Sequence, residues 1–429
     1  MNVLIIGAGG REHAIAWKIS QSRLLDSLFI VPGNAGTEDF GVNVNIKTTD
    51  FEEIAKLVEA ENISMVIIGP EDPLVTGIVD FFYSRKSLQH VALIGPSKLA
   101  AQLEGSKDFS KAFMERHKIP TARYKSFTKD KLKQSFEFLK SLEAPYVIKA
   151  SGLAAGKGVI IENDIENAKS AVEEMFSGKF GNAGDTIVIE EFLNGIECSV
   201  FALCDGKDFL LLPEAKDYKR IGEKDTGLNT GGMGAVSPVP FFNETLKNKV
   251  IDQIITPTLE GLNEEGIPYV GFLFIGLMIV NQEPFVIEYN CRLGDPETEV
   301  VIPRIQNDLL ELFNHVAQGS IKSQKISINP QTALTVMCVS GGYPEQFEKN
   351  KKIEGLDVLK KELLFHAGTH YENGNVFTSG GRVLAFTSIS DSIEACRKNS
   401  YNAISKICYE GIYFRKDIGE DLLAYKPKS

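Results

Sequence analysis

Four short apolar runs alternate with helical segments in the first hundred residues. The runs are VLII at 3–6, LFIV at 28–31, MVII at 65–68 and VALI at 91–94. Strands buried on both faces are continuously apolar, and a helix between two of them lets the chain start the next strand in the same direction. The pattern therefore predicts an open parallel α/β sheet.

The chain has 429 residues, more than one hydrophobic core usually organises. We therefore expect a multidomain protein of the α/β and α+β classes. The predicted units are an N-terminal α/β domain at 1–103, a large lobe at 104–124 and 191–325, a small α+β lobe at 125–190, and a small C-terminal α+β domain at 326–429. Residues 214–240 are polar and glycine-rich, and they predict a long functional loop.

The composition is typical of a globular protein, with 43% hydrophobic residues and a net charge of −11. The negative charge argues against a nucleic-acid partner and against an anionic membrane surface. The most apolar run, 271–280, has about half the length of a membrane-spanning helix and predicts a buried strand. Six cysteines without a C-x-x-C pair and no signal-peptide pattern predict a cytoplasmic protein with reduced thiols.

The sequence GAGGREH at 7–13 joins the first predicted strand to a helix. Backbone N–H groups at such a turn can hold a phosphate. A dinucleotide fingerprint would need a third glycine where Glu12 stands, and an acid after 28–31, so NAD is not expected. We predict a monophosphate site, and a purely structural turn is the alternative.

A second glycine cluster, SGLAAGKG at 151–158, separates two predicted strands. It is not a P-loop, because Lys157 is followed by Gly158 and a strand comes next. Lys149 ends an apolar strand, where a buried lysine needs an anionic partner. We predict a flap over a triphosphate, with a flexible hairpin as the alternative.

The strand at 187–193 ends in Glu190 and Glu191, and Glu197 follows after a short turn. The backbone of such an edge can pair with adenine while a carboxylate binds ribose hydroxyls. Solvated glutamates are an equally good interpretation of this segment taken alone.

The segment FVIEYNCRLGDPETE at 285–299 carries the most specific pattern. As a strand it would place one set of residues on a core face: Phe285, Ile287, Tyr289 and Cys291. The other face would carry Glu288, Asn290 and Arg292. A carboxylate and an amide oxygen suit Mg²⁺, and the arginine suits a phosphate or an oxyanion. The alternative is a half-exposed strand with a surface ion pair.

The order of these motifs resembles the glycinamide ribonucleotide synthetase family of the ATP-grasp superfamily. The resemblance covers nearly the whole chain. Its motifs are GGREHAIAWK at 9–18, PGNAGT at 32–37, IGPEDPLV at 68–75, QLEGSKDFSKAFM at 102–114, IKASGLAAGKGV at 148–159, KDTGLNTGGMGA at 224–235, GFLFIGLMI at 271–279, RLGDPETE at 292–299, FHAGT at 365–369 and SGGRVL at 379–384.

The resemblance implies a preATP-grasp N-terminal domain, a two-lobed ATP-grasp domain and a C-terminal domain. It implies that ATP phosphorylates glycine to glycyl phosphate, which 5-phosphoribosylamine attacks to give glycinamide ribonucleotide, ADP and phosphate in purine synthesis. The implied cofactors are ATP and Mg²⁺ or Mn²⁺. We expect a monomer, with a dimer as the alternative.

The resemblance also implies roles for individual residues. The metal ligands would be Glu288 and Asn290. The ATP phosphates would be held by Lys107, Lys149, Gly152, Gly156, Lys157 and Gly158. Adenosine would be held by Glu190, Glu191, Phe192, Leu193 and Glu197. The catalytic residues would be Arg292 at the acyl phosphate, with Asp217 and Asp295 orienting the glycine ammonium. The ribose phosphate would be received by Gly9, Gly10, Arg11 and Glu71.

Two other functions remain open at this stage. The chain could be an ATP-grasp enzyme that carboxylates a purine precursor or a biotin carrier, which would require bicarbonate. It could also be a nucleotide-binding regulatory protein without turnover, although the presence of Lys149, Glu288, Asn290 and Arg292 argues against this.

Overall fold

The N-terminal domain has the predicted parallel sheet. The computed structural model describes residues 1–154, 158–359 and 363–425. Its first elements are β1 (Asn2–Gly7), α1 (Gly10–Ile19), β2 (Ser27–Pro32), β3 (Val42–Asn43), α2 (Phe51–Ala60), β4 (Met65–Ile68), α3 (Glu71–Thr76), α4 (Ile78–Ser84) and β5 (Ala92–Ile94). The strands lie in the order β3-β2-β1-β4-β5, and all paired neighbours are parallel. The predicted fold class is therefore confirmed for this domain.

The direction of strand addition reverses beside β1, since β2 and β3 lie on one side of it and β4 and β5 on the other. In open α/β sheets, ligands bind outside the carboxyl ends of the strands at such a reversal. The turn after β1 and the start of α3 meet there. This topology places residues 8–12 beside Glu71.

The small lobe is an antiparallel sheet with two helices. Two helices precede it, α5 (Gln102–Gly105) and α6 (Lys107–Arg116), and its own elements are β6 (Tyr124–Thr128), α7 (Leu132–Lys140), β7 (Tyr146–Ala150), β8 (Val159–Glu162), α8 (Ile165–Glu174) and β9 (Thr186–Glu191). The strand order is β6-β9-β7-β8. Its buried apolar cluster is drawn wholly from residues 127–189 of the described chain, so this lobe has a core of its own.

The large lobe is built on a sheet of four antiparallel strands. The elements of this part of the chain are β10 (Ile196–Asp205), β11 (Phe209–Leu211), β12 (Lys216–Asp217), β13 (Arg220–Gly222), β14 (Thr226–Asn229), β15 (Gly234–Ser237), α9 (Glu244–Val250), α10 (Thr256–Glu264), β16 (Val270–Val280), β17 (Glu283–Asn290), α11 (Thr298–Arg304) and α12 (Leu309–Ala317). The four strands of the sheet lie in the order β11-β10-β16-β17. The apolar run at 271–280 is strand β16, as predicted.

A β-bulge in β17 corrects one prediction. Gly276 pairs with Glu288 but Leu277 pairs with Val286, so Ile287 is an extra residue. A bulge shifts the alternation of side chains by one position. The core face therefore carries Val286, Tyr289 and Cys291, each at most 2% exposed. The prediction that Phe285 and Ile287 share that face is wrong, because both lie before or at the bulge and are half-buried.

The C-terminal domain adds β18 (Thr332–Val339), β19 (Leu363–His366), β20 (Thr369–Glu372), β21 (Asn375–Thr378), β22 (Arg382–Ser390), α13 (Ile393–Ile404) and α14 (Glu420–Leu423). Its main sheet has the order β12-β15-β18-β22-β19. The prediction of one long loop at 214–240 is thus wrong. This segment contains four short strands, two of which pair within the C-terminal sheet and so find their partners only in the tertiary structure. The predicted domain boundaries stay a prediction.

The three larger units share buried clusters that combine residues of the N-terminal sheet, the large lobe and the C-terminal sheet. One close contact lies where β16 begins. A Cβ on Gly271 would stand 2.8 Å from the backbone N of Gly95, after β5. No helix in the described ranges is long and apolar enough to span a membrane.

We expect Gly271→Ala to lower the free energy of unfolding by more than about 1 kcal/mol. Gly271 has a φ of +103°, which favours glycine, and the added methyl would collide with the backbone of the N-terminal domain. Thermal unfolding followed by circular dichroism would measure the loss. Gly266→Ala is a matched control, since its φ is +72° but its added Cβ would meet no atom within 4 Å. Equal losses in the two variants would contradict the contact with Gly95.

Candidate active site

The turn between β1 and α1 encloses the side chain of Glu12. The N–H of Gly9 donates to Glu12 Oε2 over 2.6 Å. A Cβ on Gly7 or on Gly69 would lie 2.4 Å or 1.9 Å from the same side chain, so only glycine fits at these positions. Glu12 is therefore built into the turn, and the start of α1 remains the part of it suited to an anion.

The side chain of Arg11 is directed into the interface between domains. Its Nε donates to Glu12 Oε1 over 2.6 Å, and its Nη1 donates to the carbonyl oxygen of Leu293 over 3.0 Å. Its backbone N–H donates to Asp295 Oδ2 over 3.3 Å. The guanidinium thus ties the glycine turn to the segment that follows β17.

Asp295 connects this turn to the C-terminal domain. Arg382 on β22 places Nη2 2.9 Å from Asp295 Oδ1 and donates from Nη1 to the carbonyl oxygen of Gly231 over 2.6 Å. Burial opposes ionisation of Asp295, but Arg382 and Arg11 outweigh it and lower the pKa of the carboxyl. Asp295 thus accepts a hydrogen bond at Oδ2 and forms an ion pair at Oδ1.

Arg292 is held between two carboxylates from other elements. Its Nη2 lies 2.9 Å from Glu104 Oε1, and its Nε donates to Glu71 Oε2 over 3.2 Å. Burial opposes ionisation of Glu71, but Arg292 and Arg11 lower its pKa to about 2. Glu104 also accepts the backbone N–H of Cys291 over 2.7 Å, which fixes the chain just before Arg292.

Two lysines share the buried carboxylate of Glu190. Lys149 Nζ is 2.9 Å from Glu190 Oε1, and Lys111 Nζ is 3.1 Å from Oε2. Burial opposes ionisation of Glu190, but the two lysines lower its pKa, while burial lowers the pKa of Lys111 to about 8. Lys149 also reaches the carbonyl oxygen of Ile287 in the bulge, at 3.4 Å. The cluster joins the small lobe to the large lobe.

Lys107 begins α6 beside these lysines, and its backbone N–H donates to the carbonyl oxygen of Ser151 over 2.9 Å. Burial lowers the pKa of Lys107, and Glu288 opposes this. Both predicted phosphate-binding lysines, Lys107 and Lys149, are thus near Glu190. This places cationic groups opposite the strand that carries Glu288.

One face of the sheet formed by β10, β16 and β17 carries several polar side chains. We call it the carboxylate face and define it by Glu197, Ser199, Gly276, Glu288 and Asn290. Paired residues of antiparallel strands share a face, and the register aligns Ser199 with Gly276 and Gly276 with Glu288. Lys219 pairs with Glu197 and lies 3.2 Å from Asp217 Oδ1. The sheet therefore brings the predicted metal ligands to the same side as Glu197.

The connection between the lobes runs through Glu191, Phe192 and Leu193. Glu191 Oε1 accepts the backbone N–H of Arg123 over 2.7 Å, and Phe192 is 38% exposed. The flap is described at its two ends only, where Gly152 donates to the carbonyl oxygen of Ala183 and the carbonyl oxygen of Gly158 accepts from Ala150. Gly156 and Lys157 lie outside the described residues.

Several residues at this site were not singled out from the sequence. They are Glu104, Lys111, Lys219, Glu297, Glu299 and Arg382. Most are isolated charges in helices or loops, and their partners are distant in sequence. A signal existed for Glu104 and Lys111, which lie in QLEGSKDFSKAFM at 102–114, and for Glu297 and Glu299, which lie in RLGDPETE at 292–299.

Glu299 is a fully buried carboxyl beneath the start of α1. A Cβ on Gly10 would lie 2.2 Å from Glu299 Oε1. Neither side-chain oxygen has a hydrogen-bond partner within the described ranges. Burial and the carboxylate of Asp295 raise the pKa of Glu299 well above its usual range, against the opposing charge of Arg382. The folded protein therefore favours the neutral acid.

A carboxyl whose pKa is higher in the folded state binds more protons there than in the unfolded state. The free energy of unfolding therefore falls as the pH rises above the pKa that the carboxyl has in the unfolded chain. We expect Glu299→Gln to remove this loss, which for one proton is at most about 1.4 kcal/mol per pH unit. The stability difference between variant and wild type should grow from pH 5 to pH 8 in chemical denaturation. Glu59→Gln, on the exposed side of α2, controls for the lost charge, and a pH-independent difference for Glu299→Gln would contradict the interpretation.

Comparison with known proteins agrees with this geometry. The chain matches the profiles of phosphoribosylglycinamide synthetase for the N domain at 1–104, the ATP-grasp (A) domain at 105–298 and the C domain at 333–421. It is 45% identical to the phosphoribosylamine–glycine ligase of Pseudomonas syringae pv. tomato, over 99% of this chain and 98% of that protein. It is 43% identical to the ligase of the same name from Vibrio vulnificus, over 99% of each chain.

Solved structures give the same assignment. The crystal structure of the phosphoribosylamine–glycine ligase of Thermotoga maritima superposes with a TM-score of 0.86 and 35% identity, covering 97% of this chain and 100% of that chain. A biotin carboxylase from Campylobacter jejuni has a TM-score of 0.70 at 15% identity, covering 96% of this chain and 92% of that chain, and shows the shared fold alone. The chain belongs to the phosphoribosylglycinamide synthetase family, with an ATP-grasp domain at its centre.

Proposed function

We propose that this protein joins glycine to 5-phosphoribosylamine with hydrolysis of ATP, giving glycinamide ribonucleotide, ADP and phosphate. The observation that carries the proposal is the carboxylate face beside Arg292. It carries Glu288 and Asn290, with Lys107 and Lys149 near the same strand, in a chain whose relatives are ligases of this name over nearly their full length. The reaction is proposed to pass through glycyl phosphate.

The nucleotide would lie between the two lobes. Lys107, Lys149 and the flap from Gly152 to Gly158 would bind its phosphates, since these cations lie opposite Glu288. For Gly156 and Lys157, the sequence motif is the only support for this proposed role.

For adenosine we propose the segment from Glu191 through Phe192 to Leu193, together with Glu197. The carboxylate of Glu190 is occupied by two lysines, so we assign it to holding Lys149 and not to the ribose. Its backbone remains part of the segment proposed to line the adenine.

The residues present suit a divalent metal. Glu288 forms no ion pair within the described chain, and the amide of Asn290 lies on the same face. The described residues contain no group of three His, Cys, Asp or Glu side chains that would hold a metal alone. A cation bound by Glu288 and Asn290 would take further ligands from phosphate and water, as Mg²⁺ commonly does, and Mn²⁺ would serve in the same place. Such an ion supplies charge neutralisation during phosphoryl transfer.

Arg292 is proposed to stabilise the acyl phosphate. Burial opposes its charge, but Glu104 and Glu71 raise the pKa of Arg292, so it stays cationic. For the glycine ammonium we propose Asp217 and Asp295. Asp295 is bound by Arg382 and by the Arg11 backbone, and Asp217 has one oxygen 3.2 Å from Lys219.

The ribose phosphate is proposed to bind at the turn of Gly9, Gly10 and Arg11, with Glu71 nearby. The carboxyl ends of β1 and β4 meet there, and α1 presents its N-terminus. The Arg11 guanidinium contacts Glu12 and Leu293, and the N–H groups of Arg11 and Gly9 donate to Asp295 and Glu12. A phosphate bound by those N–H groups would therefore displace a carboxylate. We further propose a cytoplasmic enzyme that acts on these small molecules as a monomer, or as a dimer, without nucleic acid or membrane.

The proposed activity predicts ADP release that depends on glycine and phosphoribosylamine together. A coupled ADP assay with purified protein and Mg²⁺ would measure it, and mass spectrometry would identify glycinamide ribonucleotide. ADP release that requires bicarbonate and not glycine would support a carboxylating ATP-grasp enzyme instead. Nucleotide binding without turnover under any of these conditions would support a regulatory protein.

The metal assignment predicts that Glu288→Gln lowers turnover at limiting Mg²⁺ by at least about 100-fold, since even partners of metal ligands contribute up to that factor. Excess Mg²⁺ or Mn²⁺ should restore part of the activity, and the unfolding temperature should stay close to that of the wild type. Glu283→Gln, at the exposed start of the same strand, is the matched control. An unchanged Mg²⁺ dependence in Glu288→Gln would show that the assignment is wrong.

A further inference from the structure

Glu297 is a buried carboxyl, 5% exposed, that reaches the carboxylate face. Ser199 Oγ donates to Glu297 Oε1 over 3.3 Å. Ser199 lies on that face, because it aligns through Gly276 with Glu288. The carboxyl at the start of α11 is thereby directed toward the proposed metal and acyl-phosphate region.

The surroundings of Glu297 limit the directions that it can face. A Cβ on Gly294 would lie 2.5 Å from Glu297 Oε2, so the backbone closes one side. The charged groups around it come from several elements. They are Asp217 and Lys219 from the segment of β12, Arg292 after β17, Arg382 on β22 and Glu299 on its own helix.

Glu297 differs from the other carboxylates beside Arg292. Glu71 and Glu104 both form ion pairs with that arginine. Glu297 forms no ion pair within the described chain, and the hydrogen bond from Ser199 uses only its Oε1. Among these three groups, it is the carboxylate with an oxygen available to take a proton.

The proposed reaction needs a proton acceptor at this place. When a neutral amine attacks an acyl phosphate, its nitrogen becomes positively charged and must lose a proton before the amide is stable. Arg292 and Lys219 are cations and cannot accept it. A carboxylate near the acyl carbon would serve as the general base.

We propose that Glu297 is the general base that accepts the proton of the attacking amine of phosphoribosylamine. The nitrogen lone pair forms the C–N bond, the electrons of the C–O bond leave with phosphate, and the N–H proton moves to Glu297 Oε2 and then to solvent. The inference rests on the proposed function and adds a residue to it.

Burial and the carboxylate of Asp217 raise the pKa of Glu297 to about 7, with Lys219 opposing. A base with a pKa near the working pH combines a useful ionised fraction with a useful affinity for protons. Because the ionised form is the active one, amide formation should slow as pH falls below about 7.

The test measures glycine activation and amine attack separately in the variant Glu297→Gln. With phosphoribosylamine, kcat should fall by about 10²- to 10⁴-fold, the usual contribution of a general base. With hydroxylamine instead, which traps acyl phosphates without an enzymatic base, glycine-dependent hydroxamate and ADP should form close to the wild-type rate. The hydroxylamine half-reaction also reports that the variant is folded and activates glycine.

A second variant tests the same base with a smaller change. Ser199→Ala removes a hydrogen bond that favours the carboxylate, so the pKa of Glu297 rises and the acid limb of the pH–rate profile moves to higher pH. Glu297→Gln should lack that limb. Glu214→Gln is the control, since Glu214 lies outside the carboxylate face and accepts the Val239 N–H over 3.0 Å.

The outcomes distinguish this inference from the proposed function. If the wild type releases no ADP with glycine, the proposed function fails. If the wild type is active and Glu297→Gln keeps its kcat and acid limb with phosphoribosylamine, or loses both amine and hydroxylamine reactions equally, the general base is overturned.

Discussion

Several buried charges of the site have partners that come from other domains. Arg292 follows a strand of the large lobe, but one of its carboxylates, Glu71, belongs to the N-terminal domain. Asp295 receives an N–H from the N-terminal domain and a guanidinium from Arg382 in the C-terminal domain. Removing one partner of such a pair leaves an uncompensated buried charge, which costs about 3–5 kcal/mol. The site is therefore complete only when the domains are docked.

The small lobe is the exception to this shared packing. Its apolar cluster is separate, whereas the other units contribute to common clusters. One polar link to the large lobe is the set of contacts among Lys111, Glu190, Lys149 and the bulge carbonyl of Ile287. If Lys149 binds a nucleotide phosphate as proposed, nucleotide binding would change this link between the lobes.

The carboxylate face shows how local and tertiary information combine. The sequence identified Glu288 and Asn290 as residues two apart on one side of a strand, and the structure has them on one face. The sequence did not reveal the bulge in β17, because a bulge is defined by how a strand pairs with its neighbour. The same limit applies to the segment 214–240. Within it β13 pairs with β14 and β12 with β15, but β15 also pairs with β18, about a hundred residues further along the chain. A polar, glycine-rich segment gives no sign of that distant partner.

The sequence by itself determined the parallel N-terminal sheet, the buried strand at 271–280 and the motifs of the family, because apolar periodicity and glycine turns are local properties. It also placed Lys149 and Arg292 among the functional candidates. Only the tertiary structure decided that Arg11 points into an interface, that Glu190 holds two lysines, and that Glu297 reaches the carboxylate face. Each of these depends on the burial of a charge and on a partner distant in sequence, and neither is encoded in local spacing.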